Sequence, residues 1–346
     1  MGRYNRKDIK KIHKKYGKKN RGFFIILLIF LTIISVTIFV FYNQQISELD
    51  NTFKKSYKHV ENKTSKNHEN LDNVSILLIG IDNNAERNLD NARADTMIYL
   101  TYNSEKSKFI STSIPRDIYI EQEDYTGKLN GAYSYGEEKS TIEAVENIVQ
   151  SPIDYYATID FNGLENVVND IGGIDINSKI SIDKSNNESV GKDINIKKGD
   201  NHLDGKHALA YARIRKIDND IQRGERQQQV VKAILQQLTR EENINNYQNK
   251  TKTLMNYVQT NIKLNDVLSH INPNLKNLNV ETSTYKWSDE NKSGVSYVKI
   301  SPEEKQHISN LHRKNLDMRT LPIEYFEDRK VDIDEWKRWF YCKTYT

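Results

Sequence analysis

The longest apolar run is Phe23–Tyr42, FFIILLIFLTIISVTIFVFY, without a charge, glycine or proline. At roughly 1.5 Å per residue a helix of this length spans about 30 Å, the thickness of one bilayer core. A secretory leader has a shorter apolar stretch followed by small residues at its cleavage site. Here Asn43-Gln44-Gln45 follows, so the pattern predicts an uncleaved transmembrane helix over 22–42. Residues 43–72 are polar and read as a stalk that lifts the next domain off the membrane.

Beyond the stalk the pattern changes to short apolar runs that end in charged residues. Val74–Ile81 (VSILLIGI) suits a buried strand and ends at Asp82. Arg93-Ala94-Asp95-Thr96 leads into a second strand, Met97–Tyr102. A third, Phe109–Ile114, ends in Pro115-Arg116-Asp117. Lys128–Tyr133 reads as a loop entering a helix, and Ser140–Val149 has helical spacing. Tyr155–Ile159 is a strand, Asp160 caps a helix Phe161–Asp170, and Gly172-Gly173 stops it. Lys179–Asn201 is a polar excursion, and Asp204–Ala210 a short helix. Further on, Asn256–Ile262 and Asn265–Ile271 read as short helices, Tyr285–Ile300 as edge strands and Pro302–Leu316 as a last helix. Met318–Thr346 has no clear periodicity. Strands interleaved with helices predict a layered α/β domain over 73–317.

Composition adds little to the fold and more to the topology. The single cysteine among 346 residues excludes an internal disulfide framework and a cysteine-rich zinc site. The formal net charge of +4 conceals an asymmetry, because residues 1–21 carry ten Lys/Arg against one acid, Asp8, and the rest of the chain is net acidic. A nucleic-acid partner is therefore not expected. A basic segment ahead of the apolar run instead puts the N-terminus in the cytoplasm and the domain outside the cell membrane.

The richest chemistry lies in Tyr211–Gln229, YARIRKIDNDIQRGERQQQ. An extended backbone would point Arg213 and Arg215 the same way. Arg223, Arg226 and Gln227 fall on one helix face, which continues as Val230, Val231, Ile234 and Leu238. Guanidinium groups at the start of an apolar stripe need a compensating anion. Two sources are open: protein carboxylates (Asp218, Asp220, Glu225) or a bound ligand. Asp82 and Asp95, near strand ends, are hard oxygen ligands of the kind Mg²⁺ uses together with substrate phosphate. Several arginines suit a pyrophosphate, and the set describes phosphoryl transfer. Internal pairs, Arg93 with Asp95 and Arg116 with Asp117, are the alternative. Walker A, GxGxxG and HExxH motifs are absent from the sequence.

The ordered segments LLIGID, RADTM, SIPRD, KLNGAY, DYYATIDFNG, IGGID, LDGKHALAYARIR and DNDIQRGERQQQ closely resemble the LytR-CpsA-Psr family of Gram-positive cell-surface proteins, over about 74–240. The resemblance implies a central mixed sheet flanked by helices, with an apolar tunnel for a polyprenyl chain. It also implies a Mg²⁺-dependent transfer of an anionic glycopolymer, wall teichoic acid first, from polyprenyl pyrophosphate to peptidoglycan. By the same resemblance Asp82 and Asp95 are metal-side carboxylates, and Arg93, Arg116, Arg213 and Arg215 clamp the pyrophosphate. Arg223, Arg226 and Gln227 then complete the head-group site, and Lys128, Asn130 and Tyr133 line its mouth. Asp95 has a second role open to it, as base for the acceptor hydroxyl. Gly131 stands where many members carry a bulkier residue, and the segment 318–346 departs from the family pattern. A non-catalytic receptor for the lipid-linked polymer and a pyrophosphatase are the competing functions. A transcriptional role is disfavoured by a cytoplasmic part of about 21 residues.

Overall fold

The computed structural model describes residues 43–44, 46–60, 73–82, 92–191, 193–214, 219–239, 244–266 and 279–327. The expected transmembrane helix 22–42, Arg215, Asp218, Cys342 and the tail beyond 327 lie outside them. No helix among the described residues is long and apolar enough to cross a membrane. The chain divides into two units at Asn51/Thr52; in the first, the described residues are helical.

In the second unit six strands form one mixed sheet. They are β1 (Asn73–Asp82), β2 (Arg93–Asn103), β3 (Lys108–Ser113), β6 (Tyr155–Asp160), β9 (Gln259–Thr260) and β10 (Asn279–Thr284), in the order β10-β3-β2-β1-β6-β9. β1 runs antiparallel to β2 and parallel to β6; β10 runs parallel to β3. Among the described residues three two-stranded ribbons lie outside this sheet: β4 (Tyr119–Glu121) with β5 (Thr126–Lys128), β7 (Ile174–Ser178) with β8 (Gly199–Leu203), and β11 (Ser288–Lys292) with β12 (Val295–Lys299).

Helices cover both faces. On one, α1 (Ala132–Val149) and α6 (Pro302–Asn315) pack over Leu77, Ile79, Met97 and Tyr99. On the other lie α2 (Phe161–Asp170), α3 (Gly205–Arg213), α4 (Asp220–Thr239) and α5 (Ile244–Asn256). The period of two along β1 separates the two environments. Its odd-numbered residues Leu77 and Ile79 are fully buried, whereas Ile76, Leu78 and Gly80 are only half-buried although they too lie inside the fold.

Local chemistry sets the helix starts. Asp160 Oδ1 accepts from Gly163 N at 2.6 Å, and Asp204 Oδ1 from His207 N at 2.9 Å, both N-caps. Asn219 and Gln222 form a reciprocal capping box. Asn219 Oδ1 accepts from Gln222 N at 3.2 Å, and Gln222 Oε1 from Asn219 N at 3.0 Å. That box fixes the start of α4 at Asp220, three residues before Arg223. Gly172 and Gly173, at φ 88° and 83°, end α2 in the left-handed region.

Several expectations need correction. Arg213 is not on extended backbone but is the last residue of α3, because the cap at Asp204 starts a helix that runs on to Arg213. The excursion at 179–201 is anchored by fully buried Ile182, Ile194 and Ile196, so it is not simply polar. Asn256–Ile262 is a helix end followed by β9 rather than a helix. Tyr285–Ile300 forms a separate ribbon, and β10 and β9 are the sheet edges, of which β10 alternates too weakly to be read from sequence. Part of the segment expected to be stalk, from Thr52 to Val60, belongs to the second unit. Phe53 and Val60 are buried, and Lys58 N donates to Thr260 O at 2.9 Å.

Candidate active site

The half-buried residues of the sheet line a cavity of about 920 Å³. Its walls are Ile76, Leu78, Ile98 and Leu100 from the sheet, and Val230, Val231, Ile234, Leu235 and Leu238 from α4, with Leu164, Leu254 and Met255 from neighbouring helices. The apolar stripe of α4 therefore faces a hollow as well as a core. Since water gains little from such walls, the cavity suits an apolar chain. From Ile76 to Asp82, at roughly 3.3 Å per residue, it follows β1 for about 20 Å.

Polar residues gather at one end, where β1 reaches Asp82. The mouth holds Asp82, Arg93, Asp95, Arg116, Asp117, Lys128, Asn130, Asp160, Arg213, Arg223 and Gln227. A β-bulge aims one of them. Gly80 pairs with Thr96 and Ile81 with Ala94, so Asp95 is the extra residue of β2. Arg116 Nη1 donates to Asp95 Oδ1 at 2.8 Å, with side chains only 16% and 19% exposed. Asp117 Oδ1 takes Lys128 Nζ at 3.1 Å. Arg223, 7% exposed, holds Asp220 through two contacts of 3.0 and 3.2 Å.

Two of the cations at the mouth differ from the rest. Among the described residues, Arg93 and Arg213 have no carboxylate within ion-pair distance. Arg213 lies over the Phe161 ring at 4.2 Å, a contact that orients a guanidinium without neutralising it. The Arg93 cation also acts on the Tyr125 phenol, whose pKa burial raises and Arg93 partly lowers.

The expected site residues thus divide. Asp82, Arg93, Asp95, Arg116, Lys128, Asn130, Arg213, Arg223 and Gln227 meet at the mouth. The suggested Arg93–Asp95 pair does not form; Asp95 takes Arg116 instead. Asp220 does pair with Arg223, as the carboxylate alternative anticipated. Arg226 turns away from the cavity to donate to Tyr211 O (3.0 Å) and Ile214 O (2.6 Å), where it caps the end of α3. Tyr133 also lies off the mouth. Its hydroxyl donates to Glu138 Oε1 at 3.1 Å, and burial, then the Glu138 charge, pushes its pKa well up. Phe161 lies within the DYYATIDFNG segment but was not singled out as a site residue. Asp160 gave a signal, as a carboxylate at a strand end, but it also caps α2.

Among the described residues no cluster of three or more His, Cys, Asp or Glu is arranged around a metal. Mg²⁺ does not need one, because it binds through one or two carboxylates and fills its shell with water and phosphate oxygens. The hard oxygens of Asp82 and Asp95 beside uncompensated arginines fit such an ion.

A profile of the LytR_cpsA_psr family matches residues 36–314. The chain belongs to that family. One member, the polyisoprenyl-teichoic acid–peptidoglycan teichoic acid transferase TagV of Bacillus subtilis, is 37% identical over 201 residues, 56% of this chain and 51% of TagV. The chain thus spans about half the length of that relative. TagU of Bacillus licheniformis, named for the same transfer, is 32% identical over 73% of this chain and 82% of its own. Among solved structures, the family protein YwtF (TagT) with bound octaprenyl pyrophosphate lipid superposes at TM-score 0.56 and 28% identity, over 72% of this chain and 92% of that one. The central mixed sheet between helices is the fold of these LytR_cpsA_psr structures.

Proposed function

We propose that the protein is a membrane-anchored transferase that moves a phosphate-linked anionic glycopolymer from a polyprenyl-pyrophosphate carrier to a peptidoglycan hydroxyl, with Mg²⁺ as cofactor and a teichoic acid as the polymer. The observation that carries this reading is the junction of an apolar cavity of about 920 Å³ with a mouth holding Arg93 and Arg213. A polyprenyl pyrophosphate has the same division, a long hydrocarbon ending in a dense anion. The names of TagV and TagU and the lipid bound in YwtF support the substrate class.

The residues then take distinct parts. The cavity walls bury the prenyl chain, and Arg93, Arg116, Arg213 and Arg223 with Gln227 hold the pyrophosphate. Arg215, two residues past Arg213, is assigned to the same clamp. Asp82 and Asp95 would hold Mg²⁺, which when bound neutralises charge on the phosphates. The acceptor hydroxyl oxygen attacks the sugar-side phosphorus, and the bond from that phosphorus to the bridging oxygen breaks. Polyprenyl phosphate leaves with the electron pair, and the hydroxyl proton passes to a mouth carboxylate or water. Asp95, fixed by Arg116, is placed to take that proton if it is not a ligand. The basic segment 1–21 stays cytoplasmic and 22–42 spans the cell membrane, so the domain faces the wall.

The test is transfer by the full chain in detergent, with a synthetic polyprenyl-pyrophosphate saccharide, peptidoglycan oligomers and Mg²⁺. Wild type forms a phosphodiester-linked product and Arg213→Ala does not. Full transfer by Arg213→Ala would sink the assignment.

A further inference from the structure

A second cleft, of about 610 Å³, opens beside the mouth and shares Arg93, Lys128 and Asn130 with it. The prenyl chain does not need this cleft, because the main cavity already runs along the sheet. Tyr135 stands in it 63% exposed, one of two large hydrophobic side chains exposed among the described residues. Its ring lies 5.6 Å from that of Tyr125, tilted by 40°.

Both rings are held in place. The Tyr125 hydroxyl donates to Lys128 O at 2.9 Å. The same ring lies against Gly127 and Gly131, and a Cβ at Gly131 would come within 2.0 Å of that hydroxyl. A larger residue at 131 would therefore displace Tyr125. Tyr135 is presented by a break in α1 just after it, with Gly136 at φ −140° and Glu137 at φ 49°, ψ −135°. That backbone is costly for a non-glycine residue and persists where the surroundings enforce it. Here Lys58 Nζ bridges Glu137 at 2.5 Å and Glu138 at 2.9 Å, and the Thr141 hydroxyl donates to Glu137 O at 2.9 Å. Burial opposes the Lys58 charge, but the two carboxylates outweigh it and raise its pKa above the ordinary lysine value.

We propose that this cleft is the acceptor subsite, in which the Tyr125 and Tyr135 rings receive the apolar face of a saccharide and Asn130 and Ser134 meet its hydroxyls. The proposal rests on the transferase reading and adds where the second substrate binds. A sugar ring offers a C–H face and a rim of hydroxyls, which match electron-rich aromatic faces beside small polar groups. The cleft volume lies within the roughly 300–1,000 Å³ typical of small-ligand sites. A saccharide placed there brings a hydroxyl to the cationic mouth from outside, as displacement at a phosphorus held by the arginines requires. Lys58 is then a positioning residue, acting through the break that displays Tyr135.

The experiment uses the full chain in detergent and a lipid-free tetrasaccharide of alternating N-acetylglucosamine and N-acetylmuramic acid as probe. Equilibrium binding and steady-state transfer are both measured. Tyr135→Ala is expected to raise acceptor KM and tetrasaccharide Kd about tenfold, with octaprenyl pyrophosphate Kd within twofold. Tyr135→Trp should stay within threefold of wild type, and Lys58→Met should raise acceptor KM with little change in kcat. An unchanged acceptor KM in Tyr135→Ala, or an equal loss of donor affinity, would overturn the subsite. If wild type transfers nothing, the transferase reading falls, and the binding arm still decides. Tetrasaccharide binding lost in Tyr135→Ala keeps the subsite, and no binding to wild type removes it.

Discussion

Arg116 donates to the Asp95 carboxylate at 2.8 Å, and Asp95 is the residue that the β-bulge of β2 adds to the mouth. The pair joins a chain of charge, since Arg116 Nε also lies 3.8 Å from Asp220 Oδ2, and Asp220 holds Arg223. Carboxylates and guanidinium groups thus interleave at the end of the apolar cavity. An incoming pyrophosphate competes with the carboxylates for the same donors.

Asp95→Asn keeps the side-chain volume but removes the charge. We expect kcat for transfer to fall about 10²–10³-fold, the scale seen when a transition-state group is lost. Octaprenyl pyrophosphate should still bind, as isothermal titration would record. Weakened binding with kcat intact would assign Asp95 to recognition alone.

Asp220 competes with substrate for Arg223. Asp220→Ala should therefore tighten pyrophosphate-lipid binding by a few-fold, since the exposed half of an ion pair contributes little to stability. A weaker Kd would mean that Asp220 orders Arg223 rather than opposing the ligand.

The cavity walls imply a length dependence. Affinity for prenyl pyrophosphates should rise with chain length, as about 25 cal/mol per Å² of apolar surface is buried, then level off when the cavity is full. Leu78→Trp should weaken long chains at least tenfold and leave short ones unchanged. Equal loss for all lengths would place the chain elsewhere.

Arg226 is expected to matter for stability rather than for substrate. Arg226→Ala leaves the carbonyls of Tyr211 and Ile214 without their buried donor, at a cost of about 2–4 kcal/mol. Denaturant melts should show that loss, with pyrophosphate Kd unchanged in the folded fraction.

His312 gives a pH dependence. It is fully buried between the hydroxyls of Thr101 (2.9 Å) and Thr112 (2.7 Å), and burial lowers its pKa to about 3. The unfolded chain takes up this proton below about 6.5 and the folded chain does not. Stability is therefore full above about pH 6.5 and falls as pH drops toward 3, by up to roughly 1.4 kcal/mol per unit. Between pH 7 and 5 the loss is about 2 kcal/mol, and His312→Gln should reduce that slope. An identical slope in the variant would acquit His312.

Much of this was legible in the chain. β1, β3, β6, α2 and α6 follow from periodicity and, for α2, from the Asp160 cap, because local chemistry decides them. The residues that meet at the mouth were legible through the co-occurrence of carboxylates and arginines near strand ends and through the family resemblance, since each alone could be a cap or an ion-pair partner. Arg226 was placed near the site by helix spacing and Tyr133 by the family motif, but only tertiary packing reveals that they turn to Ile214 O and Glu138. β10 and the Tyr125–Tyr135 pair were hidden for the same reason. Neither an edge strand of mixed polarity nor two rings ten residues apart carries a periodic signal.

Transfer is tested by mass spectrometry of the full chain in detergent with a polyprenyl-pyrophosphate saccharide, peptidoglycan oligomers and Mg²⁺. A transferase yields a phosphodiester-linked sugar product and polyprenyl monophosphate in equal amounts, both lost on adding EDTA and in Arg213→Ala. Lipid bound tightly but returned unchanged would contradict transfer and leave a receptor. Monophosphate without the linked product would leave a pyrophosphatase.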